Sequence, residues 1–309
     1  MSHHRPRTPL RALSLVLVAA AVGGGAATAS AQVLGDFRPS KLTSPFGAVR
    51  EVVYETGLID LPPGFLAHSP SGSERMFSFP EPVWIVEYGT AMYDAAGREP
   101  EENFLCHTFL GDRPFTQDHE PMMVAIYSDS FTRRVRLPEG FALHVPQGQP
   151  MHWLPLFNNR SRDSVRVGMR MTVSLIRDAD LDRPLTRLYS TLHSTHMPHL
   201  FFVPPSRHSQ EAILRFGFNG RIHFMGTHVH PHAVSVGLRN LARNETVWTG
   251  RSRSGPSTIA GFDVYSSAAG YPVRAEESYR VTSVYDNPTD KEIDAMAGLF
   301  VLYSLDPQE

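Results

Sequence analysis

Three histidines occupy alternate positions in Thr227-His228-Val229-His230-Pro231-His232. On an extended strand, side chains at i, i+2 and i+4 leave the same face. The spacing therefore predicts a strand that points three imidazoles together while Val229 and Pro231 face away. Neutral imidazole suits zinc, copper, nickel and iron alike, so the cluster predicts a transition-metal site without choosing the metal. The competing reading is an exposed histidine-rich strand or a set of hydrogen-bonded core histidines. A lone histidine would favour that reading; three at period two favour a metal.

A second set of donors is the adjacent pair Cys106-His107. A thiolate beside an imidazole can bind Cu(I), with His119, His144 or His152 as further donors, although neighbours i and i+1 on a strand point to opposite faces. A small buried side chain is the other reading of Cys106. His144 and His152 read as structural or surface residues. A hydrolytic zinc centre would need a general base, and the nearest glutamates, Glu211 and Glu245, sit in no recognised motif.

The elements that must carry these residues read as strands. Short apolar runs are broken by proline and glycine, and strands are expected at 77–88, 122–127, 141–145, 165–176, 212–218, 223–238, 279–285 and 298–305. Around Arg166 and Arg170, the intervening Val167, Met169 and Met171 separate an apolar from a polar face. Helical periodicity is weak throughout. A boundary is expected between Arg177 and Pro205. The resulting architecture is all-β, two tandem antiparallel β-sandwich (jelly-roll-like) domains at 32–185 and 186–309, the second carrying the histidine cluster. No internal repeat is evident.

Composition bounds the remainder. With 41% hydrophobic and 19% charged residues in 309, the chain is an ordinary globular protein rather than a disordered one. A basic start, an apolar run from Leu13 to Val22 and the close Ala29-Ser30-Ala31 predict a signal peptide over 1–31, hence export to the periplasm or medium. No later segment approaches ~18 uninterrupted apolar residues, so no stable membrane anchor is expected. A single cysteine argues against a disulfide-built extracellular protein and favours a bacterial exported one. A net charge of −2 without a basic run leaves no footprint for nucleic acid.

The order of these residues resembles the copper type II, ascorbate-dependent monooxygenases, which include peptidylglycine α-hydroxylating and dopamine β-monooxygenases. His223 lies seven before His230, the pair His230-Pro231-His232 follows, and Trp248-Thr249 comes sixteen after His232. The segments 281–288 and 294–303 look like the family's methionine-bearing tail. By this resemblance His230, His232 and Met296 would hold a catalytic copper, with His228 a third nitrogen ligand or a neighbour of the ligands. A thioether beside two imidazoles suits a metal that passes through Cu(I); as a bare feature, Met296 would more often be core packing.

In the first domain the family's paired histidines correspond to Cys106 and His107, and its remaining ligand falls near Phe157, which cannot bind a metal. The first copper site is thus expected to be degraded or rebuilt. The peptide-anchoring arginine, asparagine and tyrosine of the family are replaced by His228, Gly298 and Phe300, so a peptide carboxylate would find no such clamp, which argues against a peptidylglycine substrate. The resemblance implies an exported copper-dependent monooxygenase that hydroxylates a C–H bond of a small organic substrate with dioxygen and an external reductant such as ascorbate. A non-enzymatic periplasmic copper-binding protein for trafficking or buffering is the alternative.

Overall fold

The structure, a computed structural model, describes residues 32–65, 74–100, 104–112, 125–196, 200–254 and 259–307. The expected signal peptide and His119 lie outside these residues. Among the described residues every regular element is a strand. The N-terminal half holds β1 (Gln32–Val33), β2 (Arg38–Pro39), β3 (Gly47–Glu55), β4 (Ile59–Leu61), β5 (Arg75–Ser78), β6 (Val83–Asp94), β7 (Leu105–Gly111), β8 (Ala125–Asp129), β9 (Arg134–Arg136), β10 (Phe141–Val145), β11 (Met151–Phe157) and β12 (Val165–Leu181). The C-terminal half holds β13 (Thr186–Ser194), β14 (Leu200–Val203), β15 (Ser206–Leu214), β16 (Gly220–Val229), β17 (Ala233–Asn240), β18 (Glu245–Ser254), β19 (Ile259–Phe262), β20 (Tyr265–Val273), β21 (Tyr279–Asn287) and β22 (Ile293–Leu305). The chain is all-β, built as two antiparallel sandwiches in tandem.

The halves repeat one plan, which the sequence did not reveal. One outer sheet runs β5-β11-β7-β8 and the other β15-β21-β17-β18, while β12 pairs β6 as β22 pairs β16. The turn after each inner strand is the same device. Asn159 Nδ2 donates to the Asp163 carbonyl and its Oδ1 accepts from the Ser161 N–H and hydroxyl. Asn287 does likewise with the Lys291 carbonyl and with the Thr289 N–H and hydroxyl. Only backbone topology and a few polar atoms carry the duplication, so periodicity in the sequence could not register it.

Strand alternation explains the layering. β11 turns Met151, Trp153, Pro155 and Phe157 inward and leaves the residues between them half-buried. β16 is different: it is buried at every position but one. One of its faces packs Met225 and Val229 into the C-terminal core with Val236, Tyr279 and Tyr285. Its other face, continued by Phe300 and Leu302 of β22, joins the N-terminal core around Trp153 and Tyr127. A parallel β10–β13 pair then makes the front sheets of both halves continuous. The residues of β16 that point toward the N-terminal half are therefore enclosed on both sides.

The expected single strand 223–238 is two strands. β16 ends at Val229, the chain reverses through His230, Pro231 and His232, and β17 begins at Ala233, whose N–H bonds back to the His230 carbonyl. His232 takes a left-handed backbone, φ 72, which a residue with a Cβ adopts only where a turn demands it.

Candidate metal centre

The end of β16 sets the site. His228 pairs with Gly298 and Val229 with Ala297, so His228 lies on the face turned to the N-terminal half, and His230 follows on that side. The strand that meets them is β7. There Leu105 pairs with Phe157 and His107 with Leu156, which leaves Cys106 as the extra residue of a β-bulge. A bulge re-aims a side chain. It removes the objection that Cys106 and His107 must face opposite ways, and their Sγ and Nδ1 lie 3.2 Å apart.

Ligand atoms of Cys106, His228 and His230 all lie within 4.8 Å of one another, and each of the three residues is buried. His228 Nε2 is 4.0 Å from the Cys106 sulfur. Behind each imidazole stands a carboxylate. His230 Nδ1 is 2.6 Å from Asp294 Oδ2, and His228 Nδ1 is 3.5 Å from Asp129 Oδ2 in an ion-pair contact without hydrogen-bond geometry. Asp129 is fully buried. It accepts from the Tyr127 hydroxyl and from the N–H groups of Phe131 and Thr132. The Asp294 carboxylate on His230 Nδ1 fixes that ring's tautomer and leaves its Nε2 as the donor nitrogen. His230 Nε2 is buried with no hydrogen-bond partner, a costly state that a metal bond would relieve.

The charges agree. Burial pushes the Cys106 thiol up, but the neighbouring His107 and His228 nitrogens outweigh it and hold the thiol well below its usual range. Burial pushes His228 down, and Asp129 with the Cys106 sulfur overcomes this, raising it to about 9. A lowered thiol beside a raised imidazole is a pair that favours opposite charges, and metal binding at these atoms would compete with protons. The Asp294 carboxyl is held at about 2, chiefly by its bond to His230, against the opposing effect of its partial burial.

Other expected residues fall differently. His232 is exposed in the turn and takes no part in the cluster, so the set of three histidines on one strand is corrected to two histidines with Cys106. The partner pair of the strand end is His228 and His230, not His230 and His232. Met296 is half-buried on the β22 face that carries Gly298, next to this strand end. The Tyr285 hydroxyl accepts from the His230 N–H at 3.1 Å and donates to the Met296 carbonyl, tying the two backbones together. His107 packs its ring 4.5 Å from that of His228. Phe157 is wholly buried. His144 packs its ring at a tilt against Trp84, and His152 pairs across to Gly111 and Met76, both away from the cluster. Sequence reasoning missed Asp129 and Asp294, which carry no local motif and reach the histidines only through the sheet register.

No family model matches the chain, and no curated protein does. Among solved structures, the chain is similar to the STIV MCP, with a TM-score of 0.35 at 9% identity over 82% of this chain and 95% of that one. It is similar to the major capsid protein P2 from bacteriophage PM2, with a TM-score of 0.34 at 6% identity over 83% of this chain and 99% of that one.

Proposed function

We propose that this is an exported metal-binding protein that holds one soft transition-metal ion, copper by donor preference, between its two halves. Cys106 supplies a thiolate, and His228 and His230 supply Nε2 atoms. The observation that carries the reading is the convergence of three buried donors from both halves on one point, with His230 Nε2 unpartnered there. Thiolate selects Cu(I) and zinc among available metals, and imidazole suits copper in both oxidation states. Asp294 orients the His230 imidazole, Asp129 stands in ion-pair contact behind His228, and the burial of all three donors excludes water from the ion. Residues 1–31 support placing the protein outside the cytoplasm.

Oxygen insertion into a C–H bond of a small organic substrate, with ascorbate or another external reductant, is the second reading. The half-buried Met296, whose carbonyl shares the Tyr285 hydroxyl with the His230 N–H, favours it as a thioether close along the chain to the site. Oxygen uptake coupled to a hydroxylated product separates the two readings.

Metal content of the purified mature chain after copper reconstitution tests the site itself. We expect one copper per chain, lost in Cys106→Ala and in the His228→Ala/His230→Ala double variant, and kept in His232→Ala. Full copper retention in the double variant would overturn the assignment.

A further inference from the structure

Resting on that metal reading, we infer that the Cys106–His228–His230 centre is a one-electron copper site, and that His107 is a positioning residue whose Nδ1–H tunes it by bonding the thiolate sulfur. One thiolate and two imidazoles form a trigonal set that both Cu(I) and Cu(II) accept, which is the donor pattern of electron-transfer copper. Three donors about 2.0–2.3 Å from one ion in a plane stand roughly 3.7 Å apart. The observed 4.0 Å between Cys106 Sγ and His228 Nε2 needs only a slight contraction. The remaining pairs lie within 4.8 Å, so closing the set asks for shifts of about 1 Å or less.

The surroundings hold that geometry. Asp129 is locked by three donors behind His228, Asp294 bonds His230 Nδ1, and both imidazoles are buried, which restricts their movement. A Cu(II) thiolate survives only where a second thiol cannot reach it. Cys106 is the one cysteine of the chain and is buried, so neither an intramolecular disulfide nor ready contact with another molecule is open to it. His107 Nδ1, 3.2 Å from the sulfur, is the group that can donate to it, and its ring is clamped between Phe109 and His228. A hydrogen bond to the sulfur withdraws electron density from the copper–sulfur bond and favours Cu(I).

The electron balance is simple. An enediol reductant of the ascorbate class gives up one electron and a proton to become its radical. The centre passes from Cu(II) to Cu(I) with the bonds to Cys106, His228 and His230 kept, and a one-electron acceptor such as ferricyanide takes the electron back.

The test uses the mature full chain loaded with Cu(II) alone and followed by visible absorption, electron paramagnetic resonance and redox titration. The expected result is one copper per chain with an intense thiolate-to-copper band, bleached by ascorbate at one electron per copper and restored by ferricyanide. The band should be absent in Cys106→Ser. His107→Phe should keep the band and the circular dichroism while lowering the potential, and His107→Asn, which returns a donor near Nδ1, should recover part of the shift. One bound copper without the band or without reversible reduction would overturn the redox inference and leave the metal site standing. Failure to bind Cu(II), Co(II) or zinc would overturn the metal reading itself. An unchanged potential in His107→Phe would remove His107 from the tuning role.

Discussion

The two halves share a strand plan, an asparagine turn and even a bulge, yet they differ at the positions that do chemistry. Val234 is the bulged residue of β17, between Ala233 paired with Tyr285 and Ser235 paired with Val284, and its counterpart in β7 is Cys106. Arg170 lies as far beyond Asn159 as Gly298 lies beyond Asn287; its partner is Ala91, where Gly298 has His228. One step outward, Tyr93 stands where the other half has His230. The N-terminal half thus contributes a bulge cysteine and no strand-end histidines, and the C-terminal half the reverse. The scaffold is repeated but the site is not. The centre forms at the seam, where unlike ends of like domains meet, which is where ligand sites of multidomain proteins concentrate.

The sharpest way to break this asymmetry is to give each ligand its counterpart's identity. Cys106→Val copies Val234, and His228→Ala copies Ala91. Each removes one of three donors, and copper affinity should fall by more than ~100-fold, beyond the 10- to 100-fold that loss of an outer partner costs. Competition against a chromophoric chelator measures it. His228→Ala also opens a cavity and leaves the buried Asp129 carboxylate without its imidazole, so the denaturant midpoint of the metal-free protein should fall in that variant and move less in Cys106→Val. A copper affinity within tenfold of the parent in Cys106→Val would mean that the N-terminal half contributes no ligand.

The shared turn predicts equality rather than difference. Asn159 Nδ2 also reaches the carbonyls of Leu61 and Pro62, and Asn287 Nδ2 reaches that of Val203. Both asparagines are buried, so Asn159→Ala and Asn287→Ala should each strand several backbone groups and cost roughly 2–3 kcal/mol. Urea melts should show similar losses. A loss confined to one variant would show that the two turns are alike in geometry only.

Tyr285 offers a finer comparison, since its counterpart before the turn is Phe157. Tyr285→Phe leaves the His230 N–H without its acceptor and should cost about 1–2 kcal/mol. It also loosens the strand end that carries a donor, so copper affinity should fall several-fold while Phe157→Tyr leaves it unchanged. Equal affinity in Tyr285→Phe would show that β16 alone holds His230 in place.

These comparisons also show what the sequence could and could not disclose. The strand spans at Phe141–Val145 and around β12, β21 and β22 follow from alternation and from proline and glycine punctuation. The all-β class follows with them. The metal-prone character of His228 and His230 was legible because period two is local. Three things were not. His232 leaves the set because the Pro231 turn reverses the chain, a tertiary pairing of β17 with β21 that outweighs strand periodicity. Cys106 enters it because a bulge, invisible in one strand's sequence, turns it. Asp129 and Asp294 reach the histidines only across strand pairings of long sequence separation.

The smallest expected difference lies in the polar network of the C-terminal half. Glu277 accepts from Arg243 Nε at 2.8 Å, from the Tyr279 hydroxyl at 2.7 Å and from Asn240 Nδ2 at 3.0 Å. Its counterpart, equally far before Asn159, is the neutral Gln149. Burial raises the Glu277 carboxyl, but these three donors outweigh it and hold it below its usual value. A carboxylate lowered on folding stabilises the protein fully above its unfolded pKa, and that contribution drains away as pH falls through the lower folded value. Glu277→Gln, which copies Gln149, should therefore cost about 1 kcal/mol near neutrality. The two proteins should converge in stability as pH drops below the carboxylate range. Thermal melts of both across an acid series read this directly. A gap that persists unchanged into acid would assign the loss to hydrogen-bond geometry rather than to the charge that Glu277 carries and Gln149 lacks.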